Sequence, residues 1–173
     1  INLFLHINSK RDDGYHNLQT IFQLLDFYDE INFSVREDGE INRTLGNEDI
    51  PLANDLMIKS AKKLQKMSGV NLGVDIRIIK KIPSGGGRGG GSSNAATTLM
   101  ALNQLWGLEL TKQKLIAIGK GIGADVPVFI EGQSSWAEGI GEILYPLICL
   151  LYTSDAADDM QCVDLGGRRI IKK

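Results

Sequence analysis

Hydrophobic and polar positions alternate at the start of the chain. Leu3, Leu5 and Ile7 recur at every second residue of INLFLHINSK, which is the period of a strand. Asp13-Gly14 then marks a turn. Residues 18–38, LQTIFQLLDFYDEINFSVRED, are rich in β-branched and aromatic side chains and predict further strand. Residues 39–54 are polar and broken by Gly and Pro, so they predict mostly loop.

At Asn54 the period changes. Asn54 is a candidate N-cap, and Leu56, Ile58, Ala61, Leu64 and Met67 follow at helical spacing up to Gly69. Val74, Ile76 and Ile78 return to alternation and predict a strand. After a glycine-rich run, a helix is predicted from about Ser92 to the region of Trp106. Thr111 caps another through Ile118. Residues 123–132, GADVPVFIEG, read as a loop leading into a short apolar segment, and 133–147 as strand, glycine turn and strand. Three helices among strands, with no internal repeat, predict an α+β or split βαβ arrangement.

Composition narrows the function classes. The chain has 173 residues, enough for one core or for one domain and part of another. A net charge of -2 advertises neither a nucleic-acid surface nor a polybasic membrane anchor. No apolar run approaches the ~20 residues of a membrane-spanning helix. Two cysteines and two histidines, His6 and His16, supply neither a disulfide framework nor zinc-ligand spacing. The first residue is Ile, so the start is expected to lie inside a longer chain. Residues 149–173 follow neither a helical nor a strand period and resemble a translated sequencing adapter. The interpretable domain is therefore expected to be 1–148, with 149–173 a non-native tail.

Six of the 20 glycines fall between Ser84 and Ser92, in IPSGGGRGGGSSNAA. Such a run lets backbone N–H groups approach an anion, and the helix after it aims its positive end at the same place. Ser92 and Ser93 add hydroxyls for phosphate, and Ser92 is the candidate magnesium ligand. A Walker A loop is excluded because no Lys precedes Ser92. Gly85, Gly87 and Gly90 satisfy a dinucleotide fingerprint, but any glycine run does, and no acidic residue ends a second strand about 20 residues later. A flexible linker is the remaining plain alternative.

PSGGGRGGGSSNAA also resembles the phosphate-loop signature of the GHMP kinase superfamily. RDDGYH, GADVP and AEGIGE resemble one branch of it, the 4-diphosphocytidyl-2-C-methyl-D-erythritol kinases, and the likeness extends over nearly all of 1–148. The resemblance implies a ribosomal-protein-S5 domain 2-like N-terminal domain, truncated before the C-terminal domain that completes the site. It implies a cytoplasmic enzyme that uses ATP and Mg2+ to phosphorylate the 2-hydroxyl of a cytidine-diphosphate-linked methylerythritol, in isoprenoid biosynthesis. A homoserine- or mevalonate-type kinase, and a nucleotide-binding fragment without catalysis, are the alternatives.

By the same resemblance, Pro83, Gly85, Gly86, Gly87, Gly89, Gly90, Gly91, Ser92 and Ser93 would cradle the ATP phosphates, with Asn54 and Lys80 near adenine. A solvated strand-end lysine is the plain alternative for Lys80. Asp125 would accept the proton of the substrate hydroxyl, where the plain alternative is a turn-capping Asp before Pro127. Asn2 would lie on the substrate side, and Tyr15 and His16 would recognise cytosine. The family's lysine partner of Asp125 would directly precede Ile1, and Arg88 stands where the family pattern carries Leu. The resemblance implies weak or absent turnover by this chain alone. His6, Trp106 and Trp136 are read as packing or strand-face residues.

Overall fold

The computed structural model describes residues 1–12, 14–83 and 87–147. Gly85, Gly86 and the adapter-like tail lie outside the described residues.

The strands divide into two sheets. β1 (Asn2–Lys10) and β2 (His16–Phe22) form a hairpin, which β6 (Ser135–Glu138) and β7 (Ile143–Pro146) extend to the order β1-β2-β6-β7, antiparallel throughout. In the second sheet, β3 (Glu30–Arg36) and β4 (Ile41–Leu45) flank β5 (Gly73–Ile79), the first antiparallel and the second parallel. β4 corrects the loop expected over 39–54. Its polar, partly covered sequence INRTL carries little periodic signal and pairs because β5 offers it an edge.

Four helices rather than three stand among the described residues: α1 (Leu56–Ser68), α2 (Gly90–Leu105), α3 (Lys112–Lys120) and α4 (Val126–Glu131). α4 replaces the expected loop of GADVPVFIEG; Pro127 in its first turn is compatible with a helix start, where no N–H is needed. Val74, Ile76 and Ile78 of β5 turn one face onto α1 and α2, where Ala61, Leu64, Ala95, Leu99 and Leu102 are fully buried. Small residues at Ala95 and Ala96 let α2 lie close against its neighbours. Trp106 closes this core, buried with its indole N–H donating to the Gly73 carbonyl at 3.3 Å. Met67, expected in the apolar stripe of α1, is instead exposed at its C-terminal end.

A smaller core joins α4 to the first sheet through Phe22, Val128 and Ala137. The strand expected at Leu3, Leu5 and Ile7 is present, but all three side chains are exposed. A six-residue helix is only about 9 Å long, whereas a nine-residue strand runs about 30 Å, so α4 covers one end of the sheet and leaves the rest open. His6 takes the strand-face placement, with its ring 5.1 Å from that of Phe4, and Trp136 of β6 packs on Phe4 across the intervening β2.

Candidate active site

Helix α2 begins inside the glycine run, two residues earlier than expected. Its N-cap is Gly89, in the left-handed region at φ 69°. A Cβ there would stand 2.9 Å from the Phe129 ring, and one on Gly90 would stand 2.9 Å from Ile82. Packing therefore demands glycine at these two positions, independently of any phosphate. Gly89→Ala is expected to lower stability by about 1–3 kcal/mol, because a left-handed φ and a ring collision act together. Thermal unfolding of the variant measures this directly, and an unchanged midpoint would contradict it.

Among the described residues, no side chain caps the first turn of α2. Ser93 N–H is the first to find an intrahelical carbonyl, that of Gly89 at 2.8 Å, so the amides of Gly90, Gly91 and Ser92 precede the helical ladder. Unpaired donors and the positive end of the helix dipole suit an anion.

Beside this turn lies a cleft of about 340 Å³. Asn54, Lys80, Pro83 and Gly91, all singled out in the sequence, line it together with Asn47, Asp55 and Asn94. The N-cap of α1 is Asp55 rather than Asn54: its carboxylate accepts the Met57 N–H at 2.8 Å. Asp55 is buried and also accepts from Arg43 at 2.7 Å and from the Asn47 amide at 3.1 Å. Asp55 thus takes the capping role and leaves the Asn54 side chain exposed on the cleft.

Lys80 is not a solvated strand-end lysine. Its ammonium lies 2.6 Å from Asp29, whose side chain is withdrawn from solvent entirely. Asp29 accepts three more bonds, from the Lys81 and Ile82 amides and from the Asn94 side chain. Burial opposes its charge, but the Lys80, Ile82, Asn94 and Lys81 donors outweigh burial and hold the carboxyl below its ordinary value. Sequence reasoning missed Asp29, because its partners are 51 to 65 residues away and nothing local marks them. With Lys80 so engaged, Arg88 is the exposed cation of the glycine turn.

Asp125 stands at the N-cap position of α4, half-buried, and makes no side-chain capping bond among the described residues. The turn-capping alternative is therefore not what the structure shows. Burial pushes the carboxyl above its ordinary value, and the α-amino group of Ile1 pulls the other way. That amino group donates to the Gln23 carbonyl at 2.7 Å, which brings the chain just ahead of β1 beside Asp125. The turn before Asp125 passes close to the first turn of α2: a Cβ added to Gly123 would lie 3.8 Å from Ser92 Oγ. Carboxylate and phosphate-type donors thus border one region.

Asn2 begins β1 in this neighbourhood, opposite Phe22, with its amide donating to Thr20 Oγ1 at 2.9 Å. Tyr15 and His16 do not join it. Both are exposed at the other end of the hairpin, where His16 pairs with Lys10. His16 and Phe22 are six residue steps apart along β2, about 20 Å of strand.

Among the described residues no group of His, Cys, Asp and Glu could hold a metal ion by itself, and no helix is long and apolar enough to cross a membrane.

Residues 55–133 match the family described as the GHMP kinases N terminal domain. The 4-diphosphocytidyl-2-C-methyl-D-erythritol kinase of Ruthia magnifica subsp. Calyptogena magnifica is 62% identical over 147 residues, 85% of this chain and 52% of that protein. A crystal structure of 4-(cytidine 5'-diphospho)-2C-methyl-D-erythritol kinase superposes with TM-score 0.73 at 36% identity, covering 87% of this chain and 53% of the other. Homoserine kinase from Cytophaga hutchinsonii shares the fold at TM-score 0.60 and 17% identity, over 78% of this chain and 46% of that one. The chain spans about half the length of the curated relatives it matches. With its glycine turn, uncapped α2 and α+β layers, the chain belongs to the GHMP kinase superfamily and carries that superfamily's N-terminal domain.

Proposed function

We propose that this chain is the ATP-binding part of a cytoplasmic kinase that phosphorylates the 2-hydroxyl of 4-diphosphocytidyl-2-C-methyl-D-erythritol, a step in isoprenoid biosynthesis. The observation that carries the reading is the close approach of the first turn of α2 to the turn holding Asp125, which brings backbone amide donors and an uncommitted carboxylate to one region. The relatives' names favour this acceptor over a homoserine or mevalonate.

The site's donors fit a triphosphate. The Gly90, Gly91 and Ser92 amides with the Ser92 and Ser93 hydroxyls are assigned to the phosphate oxygens, and Gly87 and Gly89 with Pro83 to the surrounding wall. Asn54 and Lys80 face the part of the cleft assigned to the nucleoside. Mg2+ fits only as a guest held mainly by the phosphates, with Ser92 as the protein hydroxyl beside it. When bound, it would neutralise charge on the transferring group.

Phosphoryl transfer requires chiefly alignment and charge stabilisation. The acceptor oxygen forms a bond to the γ-phosphorus as the bond to ADP breaks, and Asp125 takes the hydroxyl proton. Asp125 is suited to this because it is half-buried, raised in pKa and free of a capping bond. The family resemblance sets a lysine directly before Ile1, whose nitrogen is within electrostatic reach of Asp125, and that lysine would favour the ionised form. Asn2 is assigned to the acceptor near Asp125. Tyr15 and His16 are assigned to its cytosine, Tyr15 by stacking and His16 by a hydrogen bond.

Two assays test the reading. The 173-residue chain is expected to bind MgATP and to show weak or no turnover. A full-length chimera, in which the Ruthia magnifica relative supplies the residues on both sides of 1–147, the lysine ahead of Ile1 included, is expected to phosphorylate the cytidine diphosphate-linked methylerythritol and not homoserine or mevalonate. Turnover of either other alcohol at a comparable rate would overturn the substrate assignment. In the chimera, Tyr15→Ala is expected to raise KM for the acceptor by about tenfold or more while KM for ATP stays put, since one stacked base contributes ~1–3 kcal/mol. An equal rise for both substrates would remove Tyr15 from the acceptor site.

A further inference from the structure

Asp29 lies where three segments meet. Its Oδ1 accepts the backbone N–H groups of Lys81 at 2.7 Å and Ile82 at 2.8 Å, on the chain that leaves β5. Its Oδ2 accepts from Lys80 Nζ at 2.6 Å and from Asn94 Nδ2 at 2.8 Å, on α2. These groups flank the glycine turn on both sides. Lys80 and Asn94 also line the cleft, so the same carboxylate governs one of its walls.

A buried carboxylate with four donors is an expensive arrangement for a loop anchor alone, because burial disfavours the ion and each donor must be held in place. Two backbone bonds would suffice to end β5. The other two fix side chains that face the cleft, and one of these is a lysine whose charge is thereby neutralised and its ammonium immobilised.

We propose that Asp29 is a positioning residue of the nucleotide cleft: it ties the strand exit at Lys80–Ile82 to Asn94 of α2, and so holds the two ends of the glycine turn at the spacing that presents the α2 amides to a triphosphate. This rests on the reading that the cleft takes a nucleotide. Asp29 itself touches no phosphate. It acts through Lys80, Asn94 and the backbone.

The charge distinguishes clamp from filler. In Asp29→Asn the remaining oxygen still accepts from Lys81 and Ile82, but an NH2 group now faces the Lys80 ammonium, donor against donor. Asn94→Leu removes the α2 link and leaves the carboxylate its other three partners. In the 173-residue chain, each variant is expected to weaken MgATP binding about tenfold, the worth of one charge-assisted hydrogen bond, and to speed amide hydrogen exchange between residues 80 and 94. Ile118→Val, a mild lesion buried in α3 away from the cleft, serves as the control. It is expected to lower the melting temperature while binding MgATP as the unsubstituted chain does.

Unchanged affinity in Asp29→Asn, with binding by the unsubstituted chain, overturns the positioning role and leaves the nucleotide reading standing. An affinity loss of equal size in Ile118→Val overturns it too, since affinity would then only follow stability. No MgATP binding by the unsubstituted chain overturns the nucleotide reading, and this proposal with it.

Discussion

Asp125→Asn in the full-length chimera is expected to lower turnover by about 10²–10⁴-fold, the usual contribution of a positioned general base. Affinity for MgATP is expected to stay within a factor of about two, because the phosphates are assigned to the start of α2 and Asp125 only borders it. The variant should also fold at least as well as the parent. Burial raises the Asp125 carboxyl above its ordinary value, so the folded chain holds this proton to higher pH than the unfolded chain does. Stability then falls as pH rises from the ordinary aspartate value through the raised one, and the cost persists above it. Asn carries no such cost, so at neutral pH the melting temperature of Asp125→Asn is expected to equal or exceed that of the parent. The difference should vanish in acid. A variant that keeps parental turnover would remove Asp125 from the proton-accepting role, and one that loses turnover only by unfolding would make it structural.

The largest loss of stability is expected from Arg43→Met. Arg43 is 10% exposed and pairs at 2.7 Å with Asp55, which is 1% exposed. Its guanidinium also donates to the Ile50 carbonyl at 2.9 Å. Removing it leaves a buried carboxylate with one charge partner fewer, at a cost of about 3–5 kcal/mol. For a domain of this size the melting temperature should drop by roughly 10 °C or more. Adding Asp55→Asn should recover part of that loss, because a neutral amide needs no counter-charge. Nucleotide affinity should fall along with stability, since Asp55 caps α1 directly beside Asn54. A loss under about 1 kcal/mol for Arg43→Met would mean that water reaches the pair and screens it.

The parts of the fold that could be read from the chain were those in which one face of an element is buried along its length. β5 and α1 are of this kind, because Val74, Ile76 and Ile78 meet Ile58, Ala61 and Leu64 across a single core. β4 was not legible: its residues are only partly covered, and its partner β5 lies 32 to 33 residues ahead in register. α4 was hidden by its six-residue length and by Pro127, which reads as a break unless a helix starts there. The start of α2 was set two residues late because a glycine run has no side-chain pattern to mark a cap.

In the site, the glycine run announced itself, and a motif of that density needs no distant partner to be noticed. Asp29 and Asp55 did not announce themselves. Each is an ordinary acid in sequence and acquires meaning only through donors brought by other elements. Asn54, set near adenine by the family resemblance alone, lines the cleft, while the capping role expected for it falls to its neighbour.

The β1–β2 hairpin has a further consequence if both of its ends grip a single acceptor. With Asn2 at one end and His16 at the other, it works as a gauge: a molecule is selected by how far apart its two handles sit as well as by what they are. A short alcohol with the correct reactive group would find one handhold and tumble. A nucleoside with no spacer would find the other and present nothing to transfer to. Shortening β1 and β2 by two residues each, which keeps the side chains on their own faces, should therefore favour acceptors with a more compact bridge.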